Sequence, residues 1–296
     1  MSKEFLEFVN LCIKATSGNI SFEVVSQWLF ANRLNQVLLL SEGPIDFLFK
    51  LKAPIDVIRT LITVAPSICK VNIPKRCTAL HIAACSCVSV EVMRFVLEQN
   101  RKALHNKDPT GNLPIHCAVE HYASYEVIAL LLGAHRLNGL TVKTFAGHTP
   151  LHIACSRNPG FIMRYHRYMM NANPVKDDEG NWPLHLACFS NANFMAGSHL
   201  LIDDDTLQAP NDKGNLPLHM ACAGRATLET INKLLTVYRD AAKVQNKDGY
   251  LPLHLACERS EDTESLLGII EILLYYYPKG VEKKDNKDGR LPLHSA

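Results

Sequence analysis

A histidine recurs along this chain at a nearly constant interval, and that interval constrains the fold more tightly than any other feature. The tetrapeptides TALH, LPIH, TPLH, WPLH and three copies of LPLH place it at His81, His116, His152, His185, His219, His254 and His294. Successive gaps are 35, 36, 33, 34, 35 and 40 residues. Longer stretches repeat with it: NDKGNLPLHMAC from Asn211, NKDGYLPLHLAC from Asn246 and NKDGRLPLH from Asn286. A fixed period in this range is the signature of a chain built from stacked supersecondary units.

Each unit reads in the same order. A turn rich in Asp, Lys and Gly precedes a short helix opened by Pro, whose missing amide costs nothing at the first helical position. A second helix follows, visible as apolar spacing in Val127, Ile128, Leu130 and Leu131, in Leu228, Ile231, Leu234 and Leu235, and in Ile269, Ile270, Leu273 and Leu274. Such faces are too small to close alone. Stacking neighbouring helix pairs buries them in one continuous core.

The period, the Asp-Gly turn and the T-P-L-H-x-A pattern resemble the ankyrin repeat. The resemblance covers residues 78–290 in six repeats, which begin near Thr78, Leu113, Thr149, Trp182, Leu216 and Leu251. It implies an all-α ankyrin-repeat solenoid of stacked helix pairs with short turn fingers. Upstream the pattern fades, and we expect residues 44–77 to be a degenerate repeat and residues 1–43 a diverged N-terminal helical cap. Residues 291–296 read as the truncated start of a further repeat, which predicts an incomplete array that frays near its end, beneath Leu267, Ile270 and Leu274. The chain departs from the family pattern where Thr of TPLH is replaced: Leu stands at 113, 216, 251 and 291, and Trp at 182. Those positions lack a hydroxyl that could cap the helix. The histidine is then expected to bridge to carbonyls and amides of the turn backbone.

Composition narrows the function. Thirty-one Lys+Arg against 29 Asp+Glu leave a formal charge of +2, too small a field to favour nucleic acid or an anionic membrane. No stretch approaches the ~18 apolar residues of a membrane span. The acidic N-terminal MSKEFLEFVN lacks the basic start of a secretion signal. Ten cysteines raise the question of disulfides, but Cys155, Cys188, Cys222 and Cys257 occupy one repeat position each rather than local pairs. A cytoplasmic or nuclear setting is expected, and the triplet Asn19-Ile20-Ser21 is too short a pattern to outweigh that.

The H-x-A-C pairs place a His and a Cys one turn apart on a helix face, a spacing that suits two zinc ligands or a thiol with its base. Zinc needs two more ligands, and packed helices about 8–10 Å apart do not converge four donors at once. A reactive thiol needs an accessible electropositive pocket, whereas these cysteines replace the small buried Ala of the repeat. Phosphate-loop, dinucleotide and nucleophile-elbow fingerprints are absent from the sequence. No catalytic residue, metal ligand, cofactor or small-molecule substrate is expected.

The family resemblance implies protein–protein binding through a concave groove made by turn tips and the exposed side of the first helices. Matching by position places Asn112, His148, Asn181, Asn215, Tyr250 and Arg290 after the turn glycines. The pairs Glu120/His121, Ser156/Arg157, Phe189/Ser190, Ala223/Gly224 and Glu258/Arg259 follow the buried small residue. From these, with Trp182, the expected partner-binding set is Asn112, Glu120, His121, His148, Arg157, Trp182, Phe189, Tyr250 and Arg259. Arg157, Phe189 and Tyr250 are the expected anchors, since aromatic and Arg side chains dominate such surfaces. Phe189 and Trp182 have a second reading as fillers of a local packing defect. Lys247 and Lys287 at turn tips would supply salt-dependent steering. Two irregular segments, Ser260 to Glu264 and the cluster of Arg164, His166 and Arg167, read as solvated surface. Alternatives to a free-standing binding module are the recognition part of a larger enzyme, such as a ubiquitin ligase or a kinase, and a thiol or zinc enzyme.

Overall fold

The computed structural model describes residues 3–19, 21–31, 44–69, 77–135, 138–157, 175–190, 204–259 and 264–294. Arg164, His166 and Arg167, and most of the Ser260–Glu264 segment, lie outside them. The described residues are all-α, as the period requires, and the chain divides into two compact units, residues 1–139 and 140–296.

In the first unit, α1 (Lys3–Thr16) packs on α2 (Phe22–Ala31) and α3 (Pro44–Lys50), and α4 (Ile55–Val64) lies against α2. The regular pairs follow: α5 (Ala79–Cys85) with α6 (Val90–Gln99), then α7 (Pro114–Glu120) with α8 (Tyr125–Ala134). First helices stack on first helices and second on second, α5 on α7 and α6 on α8. The second unit repeats the scheme with α9 (Pro150–Arg157), α10 (Pro183–Ser190), α11 (Asp204–Gln208), α12 (Pro217–Ala223), α13 (Leu228–Val237), α14 (Pro252–Cys257) and α15 (Glu264–Tyr276). There α9, α10, α12 and α14 form one row, with α13 packed on α15.

Helix boundaries follow from local chemistry. Ser89, Ser124 and Thr227 are N-caps whose hydroxyls each accept an N–H from the third residue onward, opening α6, α8 and α13. Pro114, Pro217 and Pro252 open first helices. Here the substituted Thr matters. Without a hydroxyl on Leu113, Leu216 and Leu251, the histidine alone reaches back, and its Nδ1 accepts the Leu backbone N–H at 3.0, 3.1 and 3.0 Å. Where Thr survives, Thr78 and Thr149 add a hydroxyl contact of 2.8 Å to the same nitrogen.

The faces of the second helices are largely the predicted ones. Val127, Ile128 and Leu131, and Ile231, Leu234 and Leu235, are buried. In α15 Ile269 and Leu273 are buried, Ile270 and Leu274 are half-buried, and Leu267 is exposed. Cys155, Cys188, Cys222 and Cys257 are buried as free thiols, in line with a small-residue role on the inner side of the first helices.

The turns hold a device the sequence reading did not identify. An Asp or Asn three residues before the glycine accepts two backbone N–H groups from its own turn. Asp177 Oδ1 takes Glu179 and Asn181, Asn211 Oδ1 takes Lys213 and Asn215, and Asn246 Oδ1 takes Asp248 and Tyr250, all at 2.8–3.0 Å. Adjacent turns then join. Asp212 N–H donates to Glu179 O, Lys247 N–H to Lys213 O and Asn286 N–H to Asp248 O, at 3.1, 3.1 and 2.8 Å. Gly249 shows why glycine is required: its φ is +81°, and a Cβ would fall against the backbone nitrogen of Asn286.

Candidate functional site

Where the ends of α9, α10, α12 and α14 emerge side by side, the second unit opens a groove of about 810 Å³. Its lining residues are Ser156, Arg157, Phe189, Ser190, Ala223, Gly224, Arg225, Leu255, Glu258 and Arg259. Each of four successive repeats contributes, because each first helix ends on the same side after its buried Cys. The floor is fixed by backbone contacts. Ser190 Oγ donates to Cys155 O at 3.2 Å, and Arg225 N–H donates to Phe189 O at 3.1 Å. The second contact needs Gly224, where any Cβ would overlap the Phe189 carbonyl.

Phe189 is the apolar feature of the groove, with 47% of its surface exposed although it follows the fully buried Cys188. Arg157 and Arg225 are exposed, and Arg259 is half-buried, its Nη1 within 3.5 Å of Ala226 O. Among the described residues, three guanidinium groups against the one carboxylate of Glu258 make the lining positive.

The partner-binding set read from the sequence divides. Arg157, Phe189 and Arg259 come together in the groove. Tyr250 does not line it: the ring lies edge-on to His254 at 5.5 Å, and its carbonyl faces His219 Nε2 at 3.2 Å. Trp182 is half-buried beneath the Lys176 ammonium, 5.6 Å from the ring centroid, with its indole N–H buried and unpartnered. His148 stacks on His152 at 5.9 Å, and its Nε2 lies 3.6 Å from the Asp177 carboxylate. In the first unit, Asn112 bonds to Thr110 Oγ1 at 2.8 Å and offers its carbonyl to His81. Glu120 is half-buried at the end of α7, and the exposed His121 accepts the Cys87 thiol on its carbonyl.

Asn181 requires a correction. Its position after the glycine suggested a surface tip, but only 2% of it is exposed. Its Nδ2 donates to Asp177 Oδ2 at 3.0 Å and its Oδ1 accepts from Asn211 Nδ2 at 2.7 Å. Asn215 Oδ1 is used in the same way by Asn246 Nδ2, at 2.8 Å. These side chains tie turn to turn. Sequence reading missed Arg225 and Leu255 as lining residues. The signal for Arg225 was available in the ACAGR run, where a glycine ends the helix and leaves the next residue in the position that Arg157 and Arg259 occupy elsewhere.

The histidines are built as bridges. In His152, His185 and His219, Nδ1 accepts the N-cap amide while Nε2 faces the carbonyl of Asn181, Asn215 or Tyr250 at 3.1, 2.9 and 3.2 Å. That pattern fits the neutral ring protonated on Nε2. Burial lowers the pKa of all three, to about 4 for His185 and His219. Burial pushes the thiols of Cys155, Cys188 and Cys222 far above their ordinary value. Both nitrogens of these rings are engaged by backbone, and the adjacent thiols are protonated, so the pairs serve packing. Among the described residues, no three His, Cys, Asp or Glu side chains converge as a metal site, and no helix is long and apolar enough to cross a membrane.

The geometry defines a helical repeat protein, in which identical residues pack the units and differing residues line a groove. Residues 50–139 match the family model for ankyrin repeats, in three copies. That segment of the chain carries ankyrin repeats, and ankyrin repeats are generally protein–protein interaction modules and typically non-catalytic. No curated protein is recognisably similar to it.

Proposed function

We propose that this chain binds a partner protein through the groove of the second unit, with Phe189, Arg157, Arg225 and Arg259 as the main contacts. One observation carries the reading. The residues that pack the repeats are nearly identical from unit to unit, while the groove-lining residues that directly follow the buried Cys differ, as Ser156, Phe189, Ala223 and Glu258 do. Only the differing set can give one partner an individual surface. An exposed phenylalanine flanked by arginines, on a floor fixed by backbone hydrogen bonds, has the composition of a binding hot spot. The groove also needs little ordering before it binds, since its floor is already held.

Affinity capture from a lysate, followed by mass spectrometry, tests this when the full chain is compared with a Phe189→Ala, Arg157→Ala variant. Proteins held by the first and lost by the second support the reading. Capture that is unchanged by the double variant contradicts it.

A further inference from the structure

We infer that the occupant of the groove is an acidic, extended segment of a partner protein in a polyproline-type conformation, with an apolar side chain seated on Phe189. This rests on the groove reading above and adds the chemistry and register of the ligand.

Charge comes first. The chain as a whole carries +2 over 296 residues, so it has no broad basic field. Yet, among the described residues, Arg157, Arg225 and Arg259 gather around one groove with Glu258 as the only acid in its lining. Guanidinium groups in a partly enclosed cleft favour carboxylates, which they can bind in a bidentate fork. A nucleic-acid backbone fits less well. It would need a wider basic surface, and Glu258 would stand against its continuous line of phosphates.

Spacing comes second. The four contributing side chains arise from consecutive repeats in the order Arg157, Phe189, Arg225, Arg259. Packed helices lie roughly 8–10 Å apart, so these contacts recur at about that step. A β-strand alternates faces every residue and returns to one face at about 6.6 Å, which falls out of step. A polyproline II segment returns to the same face every third residue, about 9.3 Å on, which stays in step with the repeats. The matching ligand therefore places an acid, an apolar residue, an acid and an acid at every third position, in one chain direction or the other. Proline or other residues that favour this conformation suit the positions between. Glu258 disfavours a further acid beside the last site.

The test is selection from a random twelve-residue peptide display library on the purified full chain, with the enriched peptides then titrated by fluorescence anisotropy at low and moderate salt. The expected result is enrichment of peptides with acids and one apolar residue at every third position. Their affinity should fall with salt, and by about tenfold or more for each of Arg157→Ala and Arg225→Ala. Arg225→Glu should shift preference towards a lysine at the facing position, a gain that a misfolded variant could not show. Groove-dependent peptides without acid enrichment would overturn this inference and leave the groove reading standing. Peptides indifferent to Phe189→Ala and Arg157→Ala, or no enrichment at all, would overturn both. A twelve-nucleotide single strand that binds more tightly than the acidic peptides would also overturn it.

Discussion

Arg225 donates its backbone N–H to the carbonyl of Phe189 at 3.1 Å, and this single bond joins the ends of two successive first helices beneath the groove. It forms because Gly224 leaves no Cβ between them. Gly224 has φ −93° and ψ −155°, an extended conformation open to any residue, so the requirement is steric rather than conformational.

Gly224→Ala should therefore cost about 1–3 kcal/mol, the usual range for overpacking. It should also disturb Phe189 and the groove. Urea unfolding followed by circular dichroism measures the loss of stability. A variant as stable as the parent chain would show that the close approach is not needed.

Acid should destabilise the fold in a defined window. His185 and His219 have pKa values of about 4 in the folded chain against 6.5 ordinarily, and burial is the main cause. A lowered folded pKa means that the unfolded chain takes up protons first as pH falls. The stabilisation is thus fully present above pH 6.5 and is lost progressively down to about pH 4. By linkage each ring accounts for about 2 kcal/mol between pH 7 and pH 5. The urea midpoint should fall steadily over that interval, and His219→Asn should show a shallower slope. A midpoint that does not change from pH 7 to pH 5 would contradict the bridging geometry.

Cys222 is fully buried, and burial raises its thiol pKa. Cys222→Ala should cost only about 1 kcal/mol, whereas Cys222→Arg, which buries an unpaired charge, should cost several. In the native protein at neutral pH, Cys155, Cys188 and Cys222 should resist alkylation. Cys85 is half-buried, and the thiol hydrogen bond with Cys117 lowers its pKa, so it should react ahead of them. Mass spectrometry after a short iodoacetamide pulse reads the order.

Asn246 holds its turn through two backbone N–H groups and reaches Asn215 in the neighbouring turn. Asn246→Ala leaves these groups without their partner and should cost about 2 kcal/mol. Asn246→Asp keeps the turn acceptor but not the donor to Asn215, and should fall between. Equal unfolding midpoints for both variants would separate the turn from the ladder in the opposite sense.

Much of the architecture could be read from residues alone, because packing writes the same letters into every unit. Histidine spacing gave the period, Pro114, Pro217 and Pro252 marked helix starts, and Leu131 and Leu234 marked a buried face. The groove was harder to read. Position after the turn glycine suggested exposure for Asn181, yet its amide is drawn inward by Asp177 on one side and Asn211 on the other. Such a pairing spans thirty residues and leaves no local trace. Arg225 was overlooked because the helix end at Gly224 shifts the exposed position by one residue relative to Arg157 and Arg259. Tyr250 was expected as an anchor, but its ring packs beside its own histidine, a choice set by tertiary contact rather than by pattern.

The most direct test of the account is the affinity of a captured partner for four forms of the full chain: unaltered, Phe189→Ala, Arg157→Ala, and Lys233→Ala on the second helix α13. The account predicts that the two groove variants weaken binding by about tenfold or more, with unchanged melting temperatures, while Lys233→Ala binds as the unaltered chain does. Loss of binding with Lys233→Ala and none with Phe189→Ala or Arg157→Ala would place the partner on the opposite face and contradict the central claim.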